Sequence, residues 1–373
     1  MINAADTAWL LVSGLLVLFM TPGLALFYGG MVRAKSALNM MMMSFSAMAV
    51  VTLIWVLYGY SLAFGEDHGG FIGSLKHLGL RDTLSSTFGS EGHQTPTLAF
   101  SMFQLTFAII TVALLSGAIA DRVKFSSWLI FVGAWITFVY LPISHWVFAP
   151  GGWITSKLGA LDFAGGTVVE INSGVSALAL ALVIGPRLGF KRDPMRPHNM
   201  PLVLLGAGIL WFGWFGFNGG SALTVGALAS TAVINTQIAA SAAAITWILT
   251  EKIRDLTDAV KELKQQINDI KTQETKEKTN LERDIKQLND TLNNSKQELK
   301  TELGKKDKYS HKHNLFEKLR QEFITKTVNK IKEINTNIKK IPQYYGGLVY
   351  LRFIVFVFPF LVTTAVLSHA PEP

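Results

Sequence analysis

Two carboxylates stand in the run Asp162-Phe163-Ala164-Gly165-Gly166-Thr167-Val168-Val169-Glu170, among small and apolar residues and ahead of the apolar stretch Val175 to Gly185. An ionisable group in a membrane helix is costly and marks a pathway, a proton relay or a structural lock. In a continuous helix, eight residues put both acids on roughly one face, with Glu170 about 12 Å deeper. Asp162 suits a carboxylate that caps free N–H groups at a helix start; direct contact with substrate is the alternative. Glu170 suits a group that takes a proton or hydrogen-bonds a polar permeant. A protonated Glu bonded to a neighbouring helix is its bland counterpart.

Three aromatic strings accompany the acids: Phe103-Gln104-Leu105-Thr106-Phe107, His145-Trp146-Val147-Phe148, and Trp211 to Ser221 with Phe217 inside it. An aromatic face attracts a cation by about 0.5–2 kcal/mol. A hydroxyl such as Ser221 can accept a hydrogen bond from an ammonium group. A small cation therefore suits these strings, and so does an aromatic belt with core packing. His68, His77 and His93 lack metal-ligand spacing and read as solvated loop histidines. With no nucleotide loop, metal cluster or nucleophile arrangement, neither an enzyme nor a cofactor is expected.

The elements that must position these residues are membrane helices. Half of the 373 residues are hydrophobic and 16% are charged, unevenly spread. Residues 1–253 are apolar, 254–343 are rich in Lys, Glu, Asn and Gln, and 344–373 carry a last apolar run. A span takes about 20 residues. Helices are expected near 8–31, 38–64, 97–120, 125–148, 162–185, 200–218, 226–250 and 344–368. The fold class is all-α membrane protein with a soluble helical insert. Bases follow the first, third, fifth and seventh helices, so the positive-inside rule puts the N-terminus outside and the insert in the cytoplasm. The N-terminus holds Asp6 and no base, so the first run reads as a retained helix, not a signal peptide. Gap 65–96 reads as an irregular outer loop. Most of the +8 net charge lies in the insert, where acids interleave with Lys, which argues against nucleic acid. Absence of Cys excludes disulfides.

In the insert, Leu256, Val260, Leu263, Ile267 and Ile270 form a heptad seam that falters at Glu274 and Glu277 and resumes from Leu281 in shifted phase. Gly304 to Asp307 reads as a turn, and Leu315 to Ile341 as a second amphipathic run. A helical hairpin is favoured over an extended oligomeric coiled coil. Pro342 ends that helix, and Arg352 in the final span is placed to snorkel. Phe27-Tyr28-Gly29-Gly30 and Phe217-Asn218-Gly219-Gly220, at opposite membrane faces, echo one another as an inverted repeat would.

The strings T-P-G-L-A-L-F-Y-G-G-M-V-R at 21–33, F-Q-L-T-F-A-I-I-T at 103–111, G-A-L-D-F-A-G-G-T-V-V at 159–169, G-W-F-G-F-N-G-G-S-A at 213–222 and N-T at 235–236 resemble the Amt/Mep/Rh ammonium transporter family. The resemblance covers residues 1 to about 253. It implies an outer ammonium site of Phe107, Phe148 and Ser221, a phenyl gate of Phe107 and Phe217, and Asp162 as a structural acid near that site. Glu170 would occupy the place of the first of two proton-relaying pore histidines, and the family forms trimers. Two departures follow. Phe148 stands where Trp is usual, which weakens the cation–π platform. The family's later helices, with an F-G-x-H-G-like string bearing the second histidine, have no counterpart, since His311 and His313 lie in the insert.

Three functions are open at this point. One is transport of ammonium, ammonia or methylammonium across a lipid bilayer. Another is a transporter-derived sensor or signalling protein that engages a cytoplasmic partner through 254–343. The third is a truncated or recombined product, suggested by the abrupt composition change near residue 254.

Overall fold

The computed structural model describes residues 1–303 and, beyond them, Lys318, Glu322 and Thr325. The second insert run, His311, His313 and the final span with Arg352 and Pro359 lie outside the described residues. Seven helical segments of the described chain are long and apolar enough to cross a membrane. They overlap the first seven expected spans, and the protein is an all-α membrane protein.

The first helix, α1, is Ala4–Met31. Asn3 caps it by accepting from the Asp6 N–H at 3.0 Å, which satisfies one of the donors a helix start leaves open. The second span, Ala34–Phe64, comprises α2 (Ala34–Ile54), a π turn at Trp55–Gly59 and α3 (Tyr60–Phe64). Next comes α4, Thr97–Ala118. It is apolar all round and 83% of its hydrophobic window is buried, so it is the centre of the bundle. α5 (Phe125–Trp135), a π turn at Ile136–Tyr140 and α6 (Leu141–Phe148) make the fourth span.

The sixth span, α9 (Met200–Gly220), lies along α1 in the most extensive helix–helix contact of the fold. Small residues permit it. A Cβ on Gly206 would collide with the Phe27 N–H and the Gly23 carbonyl, and one on Gly213 with Met20. Without a hydrophobic drive between helices in lipid, such close backbone approach is what holds two spans together. α1 and α2 also pack on α4, and α5 packs on α2.

Three expectations need correction. The fifth span does not begin at 162. Residues 162–165 are irregular, a π turn follows at Gly166–Ile171, and α8 runs Asn172–Ile184. Gly165 at φ +96 sets the break, since the left-handed region ends a helix path that Gly alone enters without strain. The α-helical ruler from Asp162 to Glu170 therefore does not apply. Next, the helix of the seventh span runs on past 250, because α10 is one helix from Ala227 to Leu303. Polar residues continue it, with no Gly or Pro between 227 and 303. The chain divides into two units within this helix, at Trp247 and Ile248. Lastly, loop 65–96 holds two short antiparallel hairpins, β1 (Asp67–His68) with β2 (Ile72–Gly73) and β3 (Thr87–Phe88) with β4 (Thr95–Pro96). A short helix, α7 (Trp153–Leu158), follows the fourth span.

Candidate functional site

Phe107 sits at mid-length of α4 and Phe217 near the end of α9, and both are fully buried. Their rings stack at 4.3 Å between centroids with 25° between planes. Phe103, one turn earlier on α4, tilts against Phe107 at 4.8 Å, and Trp214 against Phe217 at 5.6 Å. An offset aromatic pair contributes about 0.5–1.5 kcal/mol beyond its burial. Gly220 makes the approach possible, because a Cβ there would meet Phe103 Cε2 at 2.8 Å.

Asp162 lies on the loop that leads into the fifth span. Its Oδ1 accepts from the N–H groups of Gly165 (2.6 Å) and Gly166 (2.8 Å). Its Oδ2 accepts from Thr167 (2.8 Å) and Val168 (3.1 Å). Four donors that a helix start leaves open thus converge on one carboxylate, and an anion is favoured there by the helix dipole. The loop touches the ring stack, since a Cβ on Gly165 would lie 3.5 Å from Phe107 Cδ1.

Glu170 follows on the π turn. Its backbone N–H donates to the Gly165 carbonyl at 3.1 Å, and its own carbonyl accepts from Ser173 Oγ at 3.2 Å. The side chain is half-buried, and its carboxyl has no side-chain bond among the described residues. The π turn packs on α4, the helix that carries Phe107.

Ser221 caps the end of α9 and its Oγ donates to the Phe217 carbonyl at 2.7 Å. The lone pairs of that hydroxyl remain available as acceptors. Phe148, the last residue of α6, is half-buried against the core. Its ring makes no ring–ring contact with Phe107 or Phe217 among the described residues. The structure thus brings Phe107, Phe217, Ser221 and the Asp162 loop into one contiguous group, with Glu170 one turn beyond and Phe148 on a neighbouring helix.

Sequence reading missed a set of polar bonds that frame the outer loops. His145 is fully buried. Its Nδ1 faces the Ala63 carbonyl and its Nε2 faces Asp67 Oδ1, each at 2.9 Å. That hydrogen bond, with help from the Gly70 N–H, holds the Asp67 carboxyl below the usual carboxylate range against the opposing effect of burial. His93 is exposed in its loop as expected, but it is not without a partner. Its Nδ1 contacts buried Asp6 Oδ2 at 2.8 Å, while Asp6 Oδ1 accepts from the Val225 N–H at 2.7 Å. These partners lie 78, 87 and 219 positions apart in sequence, so no local pattern signals them. Asn218 Nδ2 donates to Thr236 Oγ1 at 2.8 Å and joins α9 to α10 beside the stack. The one visible cue was the N-T string.

Residues 8–260 match the Ammonium Transporter Family. A protein of Mycobacterium tuberculosis (strain ATCC 25618 / H37Rv) named "Ammonium transporter" is 54% identical over 274 residues, covering 68% of this chain and 57% of its own length. The crystal structure of Saccharomyces cerevisiae Mep2 has a TM-score of 0.62 at 35% identity, covering 68% of this chain and 58% of that one. A solved structure named "Sensor Amt Protein" has a TM-score of 0.60 at 31% identity, covering 66% and 61%. The chain spans less than two thirds of the length of these relatives.

Proposed function

The chain belongs to the ammonium transporter family, and from that premise we propose that it carries ammonium, or its methyl analogue, across a bilayer. The observation that supports this best is the buried Phe107–Phe217 stack, with an acid-capped loop on one side and a half-buried carboxyl one turn further on. Phe148, Phe107 and the Ser221 oxygen receive the cation at the outer end. There the aromatic faces attract charge and the hydroxyl accepts an ammonium N–H. An N–H bond then breaks with its electron pair left on nitrogen. Ammonia passes the two rings, which form the gate, and the separated proton is taken up at the Glu170 carboxylate. Asp162 stays out of this chemistry and keeps the loop beside the gate in place. The protein acts as a homotrimer with the N-terminus outside and the insert in the cytoplasm.

Uptake of labelled methylammonium into cells lacking other ammonium transporters tests the reading. Wild type is expected to exceed empty vector. Glu170→Gln is expected to lower uptake by about tenfold or more, the scale typical of a lost proton-transfer group. Phe107→Ala is expected to raise leak or loosen selectivity. Folded protein in the membrane with no uptake above vector rules transport out. Equal wild-type and Glu170→Gln rates across pH remove Glu170 from the mechanism.

The long α10 helix favours a second reading, in which the membrane unit senses ammonium and the insert relays the ligand state to a cytoplasmic partner. One relative bears the name "Sensor Amt Protein". Removing 256–341 while bridging the gap separates the two. Intact uptake with lost partner recruitment supports the sensor, and unchanged recruitment eliminates it.

A further inference from the structure

One cavity among the described residues, about 380 Å³, does not lie at the ring stack. It lies at the opposite, basic end of the membrane unit. Arg33, Lys35 and Ser36 from the turn between α1 and α2 line it. Asp121 comes from the turn after α4, and Arg192 and Asp193 from the connection between α8 and α9.

The charges there are not balanced. Arg33 Nη2 lies 2.9 Å from Asp121 Oδ2, and its Nε bonds the same oxygen at 3.1 Å. Arg187 approaches that oxygen to 3.9 Å. Burial works against the Asp121 carboxylate, yet bonds from Ser36 and Arg33 keep it below the usual range, so it remains an anion that holds the floor of the cleft. Asp193 lies against Gly189, whose positive φ turns the loop there. Lys35 and Arg192 are exposed and have no acidic partner within ion-pair distance among the described residues. Four cations thus meet two carboxylates.

The place of the cleft matters as much as its charge. α1 ends at Met31 and α2 begins at Ala34, so Arg33 and Lys35 stand at the very ends of two spans, at the level of lipid headgroups. The connections at this end carry Arg33, Lys35, Arg122, Lys124, Arg187, Lys191, Arg192 and Arg196 against Asp121 and Asp193. The loops at 65–96 and 149–161 carry Lys76, Arg81 and Lys157 against Glu66, Asp67, Asp82 and Glu91. Basic pockets between spans on one membrane side are where phosphate headgroups bind. A guanidinium fork and an ammonium group suit a phosphate from two directions.

We propose that this cleft binds a phosphate ester, with Lys35 and Arg192 on the phosphate oxygens and the Arg33–Asp121 pair as a fixed wall. The ester is either the headgroup of an anionic phospholipid or a soluble phosphate. This site is separate from the permeation group and stands whether or not the protein transports.

The test uses the full chain in detergent and reads the thermal unfolding midpoint against three probes: phosphatidylglycerol, phosphatidylcholine of the same acyl chains, and glycerol 3-phosphate. Phosphatidylglycerol is expected to raise the midpoint and phosphatidylcholine to leave it. The double variant Lys35→Gln with Arg192→Gln removes two exposed, unpaired charges, so folding is not at stake. It is expected to raise the phosphatidylglycerol concentration for half the effect by about tenfold or more. Lys124→Gln with Arg196→Gln removes the same charge elsewhere at the same end and is expected to leave the titration in place. Glycerol 3-phosphate acting alone, with the same sensitivity to Lys35 and Arg192, identifies the soluble source. Equal effects of the two double variants indicate diffuse surface charge and overturn the site, as does a wild-type midpoint that no phosphate probe moves.

Discussion

Both oxygens of Asp162 are occupied by backbone N–H groups, two on each. That occupancy separates its two readings experimentally. If the carboxylate organises the loop, Asp162→Ala strands four donors and is expected to lower stability by about 2 kcal/mol or more, since hydrogen bonds to a charged group contribute more than neutral ones. Asp162→Asn keeps an acceptor oxygen and should recover part of that loss. Thermal unfolding of the purified protein measures both. Stability equal to wild type for Asp162→Ala, with transport abolished, would instead make Asp162 a substrate contact. A second residue-scale prediction concerns pH. The Asp67 carboxyl is lowered by the His145 hydrogen bond. A carboxyl whose folded value is depressed stabilises the fold above its unfolded value, near 3.9. That contribution disappears as pH falls through the folded value. Asp67→Asn is expected to flatten the acid limb of the stability profile below about pH 4. An unchanged acid limb would mean that this bond contributes nothing to the outer loops.

At the scale of elements, the spans were legible because an apolar run of membrane length, in a chain of this composition, matches the thickness of a bilayer and little else. Their joints were not. The start of the fifth span depends on Gly165 adopting a positive φ and on a π turn, and neither alters the hydropathy of A-G-G-T-V-V. Gly165→Ala would put a Cβ 2.8 Å from Val169 Cγ2 in a conformation that L residues avoid. It is expected to destabilise the protein by about 1–3 kcal/mol and to disturb Phe107. A midpoint equal to wild type would show that the loop relaxes freely. The seam of the insert was equally legible, yet not what covers it. Leu256, Val260, Leu263, Ile267 and Ile270 on α10 are each roughly half exposed in the described chain. A seam at heptad spacing is stable in water when a second helix covers it. Leu263→Asp with Ile267→Asp is then expected to remove a cooperative helix-melting transition from far-ultraviolet dichroism of the full protein. Identical melting curves would leave the seam unpaired.

For the whole molecule, the decisive quantity is which end faces which side. The basic connections alternate with the neutral or acidic loops along seven spans, so the orientation of one end determines all the others. The expected orientation rests on sequence asymmetry alone, because charge is counted over loops and does not depend on knowing the packing. Permeation depends on it: Ser221 and Phe148 can collect a cation from outside only if loops 65–96 and 149–161 are outside. The phosphate cleft depends on it in the opposite sense. The chain has no Cys, so single cysteines report position without background. Ser90→Cys, exposed in loop 65–96, is expected to react with an impermeant maleimide on intact cells. Asn280→Cys, exposed on α10, is expected to react only after the membrane is opened. The reverse pattern would invert the protein and place the Phe148 end in the cytoplasm. Labelling of both sites from outside would mean an even number of crossings between them and would break the seven-span arrangement on which both sites are placed.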